Sequence, residues 1–275
     1  MTTNQIDQIV EQTQQYYDGA ANEIYREIWG ENLHLGIFAA PDEPLQAAME
    51  RSNRRMSEGL GLARSDRVLD VGGAHGALGR YLAQMYGCQV LVTDISVREL
   101  AWGRELTADA GMEDRVTFQR ADFHDLPFED DSFDCYWSQE AFLHAADKAR
   151  VLREAHRVLT HDGKLVFSDL LVRRGTSRED RQRIYERVLS PDMWDTPDYV
   201  EGLRGAGFDV LQHEDWSENV APTYSWVRKQ LEARRPEFER RIGKEAVDRT
   251  SAALQFWVDS AHAGKIGWEY FVATP

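Results

Sequence analysis

The stretch VLDVGGAHGALGRYLAQMYGCQVLVTDIS, residues 68–96, constrains this chain more than any other. A short apolar run ends in an acid and a glycine turn. A helical pattern follows as far as Gly87, and a second apolar run ends at Asp94. That is a strand, turn, helix and strand, the unit in which the turn sits where a nucleotide binds. The pattern continues. VTFQRADF, FDCYWSQ and GKLVFSDLL read as strands, with VRELAWGRELTADAGM and DKARVLREAHRVL as helices between them. PDYVEGLRGAGFDVLQHEDWS adds a helix, a glycine turn and a strand, and KIGWEYFVATP a closing strand. Strands alternating with helices of about 10–15 residues predict an α/β fold: a doubly wound, mostly parallel, seven-stranded Rossmann-like sheet.

The flanks read differently. Ile6, Ile9, Val10, Tyr16 and Tyr17, then Ile24, Tyr25, Ile28 and Trp29, fall at helical spacing, as two short helices broken near Asp18. A further helix follows Pro41. Residues 224–262 are helical and charged. The expected division is a helical N-terminal cap over residues 1–60 and a cofactor-binding core over 61–172. Residues 173–275 then complete the core and carry a late helical insertion that caps the substrate.

The net charge of −15 repels phosphate backbones and anionic membranes, so neither nucleic acid nor membrane is expected as a partner. No apolar run approaches 18 residues, and Met1–Gln15 is polar, which points to the cytoplasm. Cys88 and Cys135 lie in strand patterns, without the spacing of a metal or redox pair, so no metal is expected. Of 32 basic residues only Lys148, Lys164, Lys229, Lys244 and Lys265 are lysines. Oligomeric state is not legible.

In an open parallel sheet, ligands sit beyond the carboxyl ends of the strands. Three acids fall at three successive ends: Asp70, Asp94 and Asp122. Two ligand classes compete. A dinucleotide needs Gly-x-Gly-x-x-Gly, which Gly73-Ala74-His75-Gly76 fits loosely. An S-adenosylmethionine site needs an acid, then Gly-x-Gly-x-Gly. Asp70, Gly72 and Gly76 fit that pattern, with Gly73 within the turn and Ala74 in place of the central glycine. At negative φ an alanine fits there with little strain, and at positive φ it costs about 1 kcal/mol or more. Asp94 can bind ribose hydroxyls in either reading. Asp122 can accept from an adenine amino group, with Ile95 and Phe123 on the ring faces, and Gln139 ends the fourth strand. A nicotinamide dehydrogenase, a structural domain that binds nothing and a silent partner subunit remain open on these residues alone.

DVGGAHG, VTDIS, ADFHDLPFEDDSFD and HRVLTHDGKLVFSD resemble the successive core motifs of class I S-adenosylmethionine-dependent methyltransferases, over about residues 65–170. A narrower resemblance spans nearly the whole chain. QQYYDGAANEIYREIWGENLHLGIF, WSQEAFLHAADKARVLREAHRVL and VRKQLEARRPEFERR are similar to the sarcosine/dimethylglycine N-methyltransferases. That resemblance implies methyl transfer from S-adenosylmethionine to the nitrogen of sarcosine or N,N-dimethylglycine, toward glycine betaine, an osmolyte, leaving S-adenosylhomocysteine. The acceptor would be a small zwitterionic amine. SDLLVRRG and ENVAPTYSW depart from the family pattern near the acceptor, which leaves room for N-, O- or C-methylation of another small metabolite.

An amine acceptor must lose its proton before it attacks, and His144 is the candidate for that step. In the phosphoethanolamine methyltransferases a histidine in a similar stretch works with an N-terminal tyrosine. By that resemblance Tyr17 is the partner here, also placed to bond the cofactor. Tyr25, Trp29, Trp137 and Tyr224 are candidate substrate contacts, because aromatic faces attract ammonium groups. Trp216 and Trp226 share the reasoning. An acceptor carboxylate would want an arginine fork, for which Arg54, Arg173 and Arg228 are available. Asp18 pairs with an ammonium or caps a helix. His34 follows the cap pattern or packs, and His75 faces solvent or stacks on the cap.

Overall fold

The computed structural model describes residues 3–18 and 26–275. A helix α1 (Thr3–Asp18) comes first, then a helical turn at residues 26–29 and an irregular segment to α2 (Leu45–Ser57). Pro44, expected inside the first turn of α2, is its N-cap, so the helix starts three residues beyond the expected point. Alternation then runs through β1 (Arg67–Val71), α3 (Ala77–Tyr86), β2 (Gln89–Asp94), α4 (Val97–Asp109), β3 (Val116–Arg120) and β4 (Phe133–Gln139). It continues with α5 (Lys148–Val158), β5 (Leu159–Val172), α6 (Arg178–Val188), α7 (Thr196–Gly205) and β6 (Asp209–Asp215). Helices α8 (Val220–Ala233), α9 (Arg235–Ile242) and α10 (Lys244–His262) precede the last strand, β7 (Ile266–Thr274).

The seven strands form one sheet in the order β3-β2-β1-β4-β5-β7-β6. Pairs from β3 to β5 are parallel, and β7 runs antiparallel to both β5 and β6. The order reverses between β1 and β4, so the crevice a ligand would use opens where Asp70, Asp94 and Gln139 end their strands.

Both faces of the sheet are covered. Val68, Val90, Val92, Cys135 and Trp137 pack with α2, α3, α8 and α10 on one side. Leu69, Val71, Tyr136 and Phe167 pack with α5 and α7 on the other. Successive strand residues therefore enter opposite cores, as the period-two geometry of a strand requires. Side-chain caps fix the helix starts. Ser96 accepts from the Glu99 amide at α4 and Asp147 from the Arg150 amide at α5, while Asp195 and Asp198 form a capping box at α7. Gly87 ends α3 at φ 72°, a left-handed conformation glycine adopts without strain.

Cys88 and Cys135 are buried free thiols, and loss of hydration pushes the Cys88 thiol up to about 11. Among the described residues no helix is long and apolar enough to cross a membrane, and no cluster of three potential metal ligands occurs.

Candidate active site

Three adjoining hollows open at the carboxyl edge of the sheet. The first is a cleft along the strand ends, lined by Val71, Gly72, Ala74, Asp94, Ile95, Ala121, Asp122, Phe123 and Gln139, with Tyr17 and His144 across it. The second lies under the glycine turn and is lined by Asp70, Gly72, Gly73, Asn32 and His34. The third is a chamber beneath the cap, walled by Trp29, Leu33, Leu35, Leu143, Leu170, Val188 and Tyr224, with Arg187 at its far side. Cleft and chamber share Tyr17, Leu33, Glu140 and His144, which form the neck between them.

The glycine turn brings backbone close to whatever fills the first two hollows. A Cβ on Gly72 would lie 2.5 Å from the Ala141 methyl, and one on Gly73 would collide with the Asp70 carboxylate. A Cβ on Gly76 would lie 2.7 Å from the Phe118 ring. Ala74 does occupy the left-handed region, at φ 47°, so the strained alternative is the real one. Its amide donates to Asp94 at 3.1 Å, and the Gly72 and Gly73 amides donate to the Thr93 carbonyl. These bonds hold the turn against β2 and offset the strain.

Asp70 is 1% exposed, and its Oδ2 has no hydrogen-bond partner. Burial, then the neighbouring Asp94 charge, pushes its carboxyl up to about 7. A buried carboxylate with an idle oxygen stands ready for a cation, and the ammonium of an S-adenosylmethionine amino-acid arm fits that demand. Asp122 Oδ1 accepts from the His124 amide at 2.9 Å and from His124 Nδ1 at 2.7 Å. Because His124 Nε2 accepts from the Asp147 amide, Nδ1 carries the proton. Burial raises the Asp122 carboxyl, but the His124 bonds outweigh it and hold the group below its ordinary range. Ile95 and Phe123 line the cleft together with Asp122.

At the neck, the Tyr17 hydroxyl and His144 Nε2 are 2.7 Å apart with the rings edge to face. His144 sits on a single 3₁₀ turn, Phe142–His144, held by bonds from the Leu143 amide to Asp169 and from Ser190 Oγ to the Leu143 carbonyl. Burial, then the Lys148 charge, pulls the imidazole down to about 3, so the ring is neutral at ordinary pH.

Glu140 was not anticipated from the sequence. It adopts φ 46° directly after β4 and faces both cleft and chamber. Its Oε1 accepts from Ser168 Oγ at 2.5 Å and Trp268 Nε1 at 2.7 Å, and its Oε2 from the Leu35 amide at 2.9 Å. Loss of hydration nevertheless lifts its carboxyl to about 7. The available signal was an acid immediately after the strand end in WSQEAFLH.

Other candidates fall elsewhere. Trp137 is fully buried in the core, its indole N–H directed at Gln139 Oε1, and it lines none of the three hollows. It lies two residues short of the carboxyl end of β4, below Gln139 on the same face, and that depth keeps it from the acceptor. Trp29 and Tyr224 do wall the chamber, their rings edge to face at 6.0 Å. Tyr25 lies outside the described residues. Trp216 stacks on Tyr270 in the core.

Arg173 is committed to Asp195, Asp215 and Glu269. Arg54 is exposed, and Arg228 lines none of the three hollows. The arginine that does reach the chamber is Arg187, in the last turn of α6, with its guanidinium over Tyr224 at 5.1 Å and Trp257 at 5.3 Å. Asp18 accepts from Ser96 Oγ, and His34 packs with Nδ1 against the Leu35 carbonyl. His75 is buried and packs against Trp102 with the rings tilted by 39°, so it does not face solvent.

A methyltransferase-domain family model matches residues 69–167. The sarcosine/dimethylglycine N-methyltransferase of Halorhodospira halochloris is 34% identical over 98% of this chain and 98% of its own length. Methyltransferase GfsG of Streptomyces halstedii is 31% identical, covering 94% of this chain and 92% of that protein. Among solved structures, a Galdieria sulphuraria protein described as a sarcosine dimethylglycine methyltransferase superposes with a TM-score of 0.88 at 27% identity, over 94% of this chain and 98% of that one. The turn that fits a cationic cofactor and the relatives that share nearly the full length agree: the chain belongs to the sarcosine/dimethylglycine N-methyltransferase family and is an S-adenosylmethionine-dependent methyltransferase.

Proposed function

We propose that this enzyme methylates the nitrogen of sarcosine or N,N-dimethylglycine on the way to glycine betaine, as a cytoplasmic protein. The observation that carries the reading is the neck. An aromatic chamber with one guanidinium meets the cofactor cleft at a tyrosine–histidine pair and a buried carboxylate. S-adenosylmethionine supplies a methyl group on a positively charged sulfur. Asp70 would hold its amino group, Gly72 and Gly73 would let the backbone approach it, and Asp94 would take the ribose, while Gly76 closes the turn against Phe118 and lines none of the hollows. Asp122, Ile95 and Phe123 would frame the adenine, with Gln139 and Tyr17 closing the cleft.

The acceptor nitrogen must come within roughly 3–3.5 Å of the methyl carbon, in line and free of water. Trp29 and Tyr224 wall the space its cationic end would enter, and Arg187, over the Tyr224 ring, brings a positive charge to the side where its carboxylate would lie. His144, neutral and bonded to Tyr17, positions the amine and receives its proton only at the cost of a buried charge. Glu140, with its carboxyl near 7, is the group whose protonation range suits a resting place for that proton.

The chamber wall is otherwise apolar, with Leu33, Leu35, Leu143, Leu170 and Val188. That favours one second reading, methylation of a larger, less polar metabolite. The test is mass-spectrometric turnover with S-adenosylmethionine and glycine, sarcosine, dimethylglycine, phosphoethanolamine and β-alanine. Betaine from dimethylglycine supports the first reading. Tight S-adenosylhomocysteine binding with no product from any of the five favours the second.

A further inference from the structure

We propose that Arg26 and Glu99, braced by His75, are positioning residues that hold Tyr17 against His144 by locking the end of α1 to the cofactor turn. The inference rests on the role given above to Tyr17. The end of a helix leaves backbone carbonyls without intrahelical partners. At the end of α1 two consecutive carbonyls are satisfied by arginines: Tyr17 by Arg26 Nη2 at 3.1 Å and Asp18 by Arg98 Nη1 at 3.1 Å. The Asp18 carboxylate is held as well, by Ser96 Oγ at 2.6 Å.

Arg26 does not act alone. Its guanidinium is ion-paired with Glu99 and lies 5.6 Å over the Trp102 ring. The other Glu99 oxygen faces His75 Nδ1 at 3.2 Å, and the His75 ring packs at a tilt against Trp102, 4.4 Å between centroids. His75 Nε2 reaches the Glu31 carbonyl of the cap at 2.5 Å. Arg26 is 9% exposed, and Glu99 and His75 are each 1% exposed. Buried charges of this kind persist when paired, and here the pairing spans three separate parts of the chain. Glu99 belongs to the first turn of α4, His75 to the glycine turn, and Arg26 to the cap. None of the three lines the cleft or the chamber, so none contacts the acceptor. The cluster instead fixes the backbone of the residue whose hydroxyl meets His144. It also ties that residue to the loop against which the cofactor would lie.

The experiment measures kcat, S-adenosylhomocysteine affinity and amide hydrogen exchange for Arg26→Gln, Arg26→Lys and Glu99→Gln, each alone and with Tyr17→Phe. Misplacing a reacting group by an ångström costs up to about 100-fold in rate, so Arg26→Gln and Glu99→Gln should each lower kcat by about ten-fold or more. S-adenosylhomocysteine affinity should change far less, and Arg26→Lys should recover part of the loss. In the Tyr17→Phe background the same changes should lower kcat no further. Equal losses in both backgrounds would overturn the proposal. Should Tyr17→Phe leave kcat unchanged, the role of Tyr17 fails, and exchange then decides the lock itself. Faster exchange at the end of α1 in Arg26→Gln, with α2 unchanged, supports it. Exchange at the wild-type rate overturns it.

Discussion

The strand-end cleft and the cap chamber share four residues but differ in how they are made. The cleft is built on backbone: the glycine turn, three consecutive strand ends and amides directed at carboxylates. Its strand-end residues fall between Val71 and Ala141, with Tyr17, Leu33 and His144 closing it from the other side. The chamber is built from side chains brought together from Trp29, Glu140, Arg187 and Tyr224, on elements that the sheet itself does not specify. A cofactor common to many enzymes can be held by a conserved geometry of turns, whereas an acceptor is chosen by whichever helices close over it. Changes on the two sides should therefore separate into effects on cofactor affinity and effects on turnover or acceptor affinity.

The largest effect expected is at the neck. His144→Ala should lower kcat by about 100-fold, the range for misplacing a reacting group, while S-adenosylhomocysteine affinity stays within a few-fold. Stopped-turnover kinetics beside calorimetry checks this. An equal fall in both would show that cleft and chamber are one unit, and the comparison would break.

On the cofactor side, Asp70→Asn removes the charge-assisted bond and should weaken S-adenosylmethionine binding by about 10- to 100-fold. The pH dependence sharpens the point. The free carboxyl is raised to about 7, so below that pH it is protonated and cannot pair with an ammonium. Cofactor affinity should then fall as pH drops through 7, by up to about ten-fold per unit, and Asp70→Asn should flatten that slope. A slope unchanged in the variant would assign the titration to another group.

These contrasts also explain what could be read from the sequence. The strand–helix alternation, the sheet and the three strand-end acids are local patterns, and each is set by residues adjacent in the chain. Trp137 shares a face of β4 with Gln139 but lies two residues deeper along the strand, so it is buried in the core while Gln139, at the carboxyl end, reaches the cleft. Arg187 was missed because nothing local marks it among the arginines of RQRIYERV. Only the packing of α6 against Tyr224 and Trp257 brings it to the chamber. Glu140 is marked in the sequence only as an acid just past a strand end, and the left-handed backbone that directs it at the neck is set by the fold.

Arg187 gives the matching test on the chamber side. Arg187→Met should raise KM for dimethylglycine by about ten-fold through loss of one charge-assisted pair, with little change in S-adenosylhomocysteine affinity. Unchanged KM for dimethylglycine, together with efficient turnover of a less polar acceptor, would move the enzyme toward the second reading of its substrate.

The smallest effect tests how much the cleft depends on its backbone. Ala74 holds a left-handed φ that costs an alanine about 1 kcal/mol relative to glycine, and it lines both the cleft and the turn pocket. Ala74→Gly should relieve that strain. Part of the gain is lost to the greater freedom of glycine in the unfolded chain. For a chain of this size the remainder corresponds to a rise in Tm of about 2–4 °C at most, read by differential scanning calorimetry. Cofactor affinity should move by no more than a few-fold, since the Asp94 bond to the residue 74 amide survives the change. A fall in Tm would mean that the methyl packs more favourably than its backbone strains. In that case even the backbone-built half of the site would owe part of its shape to a side chain.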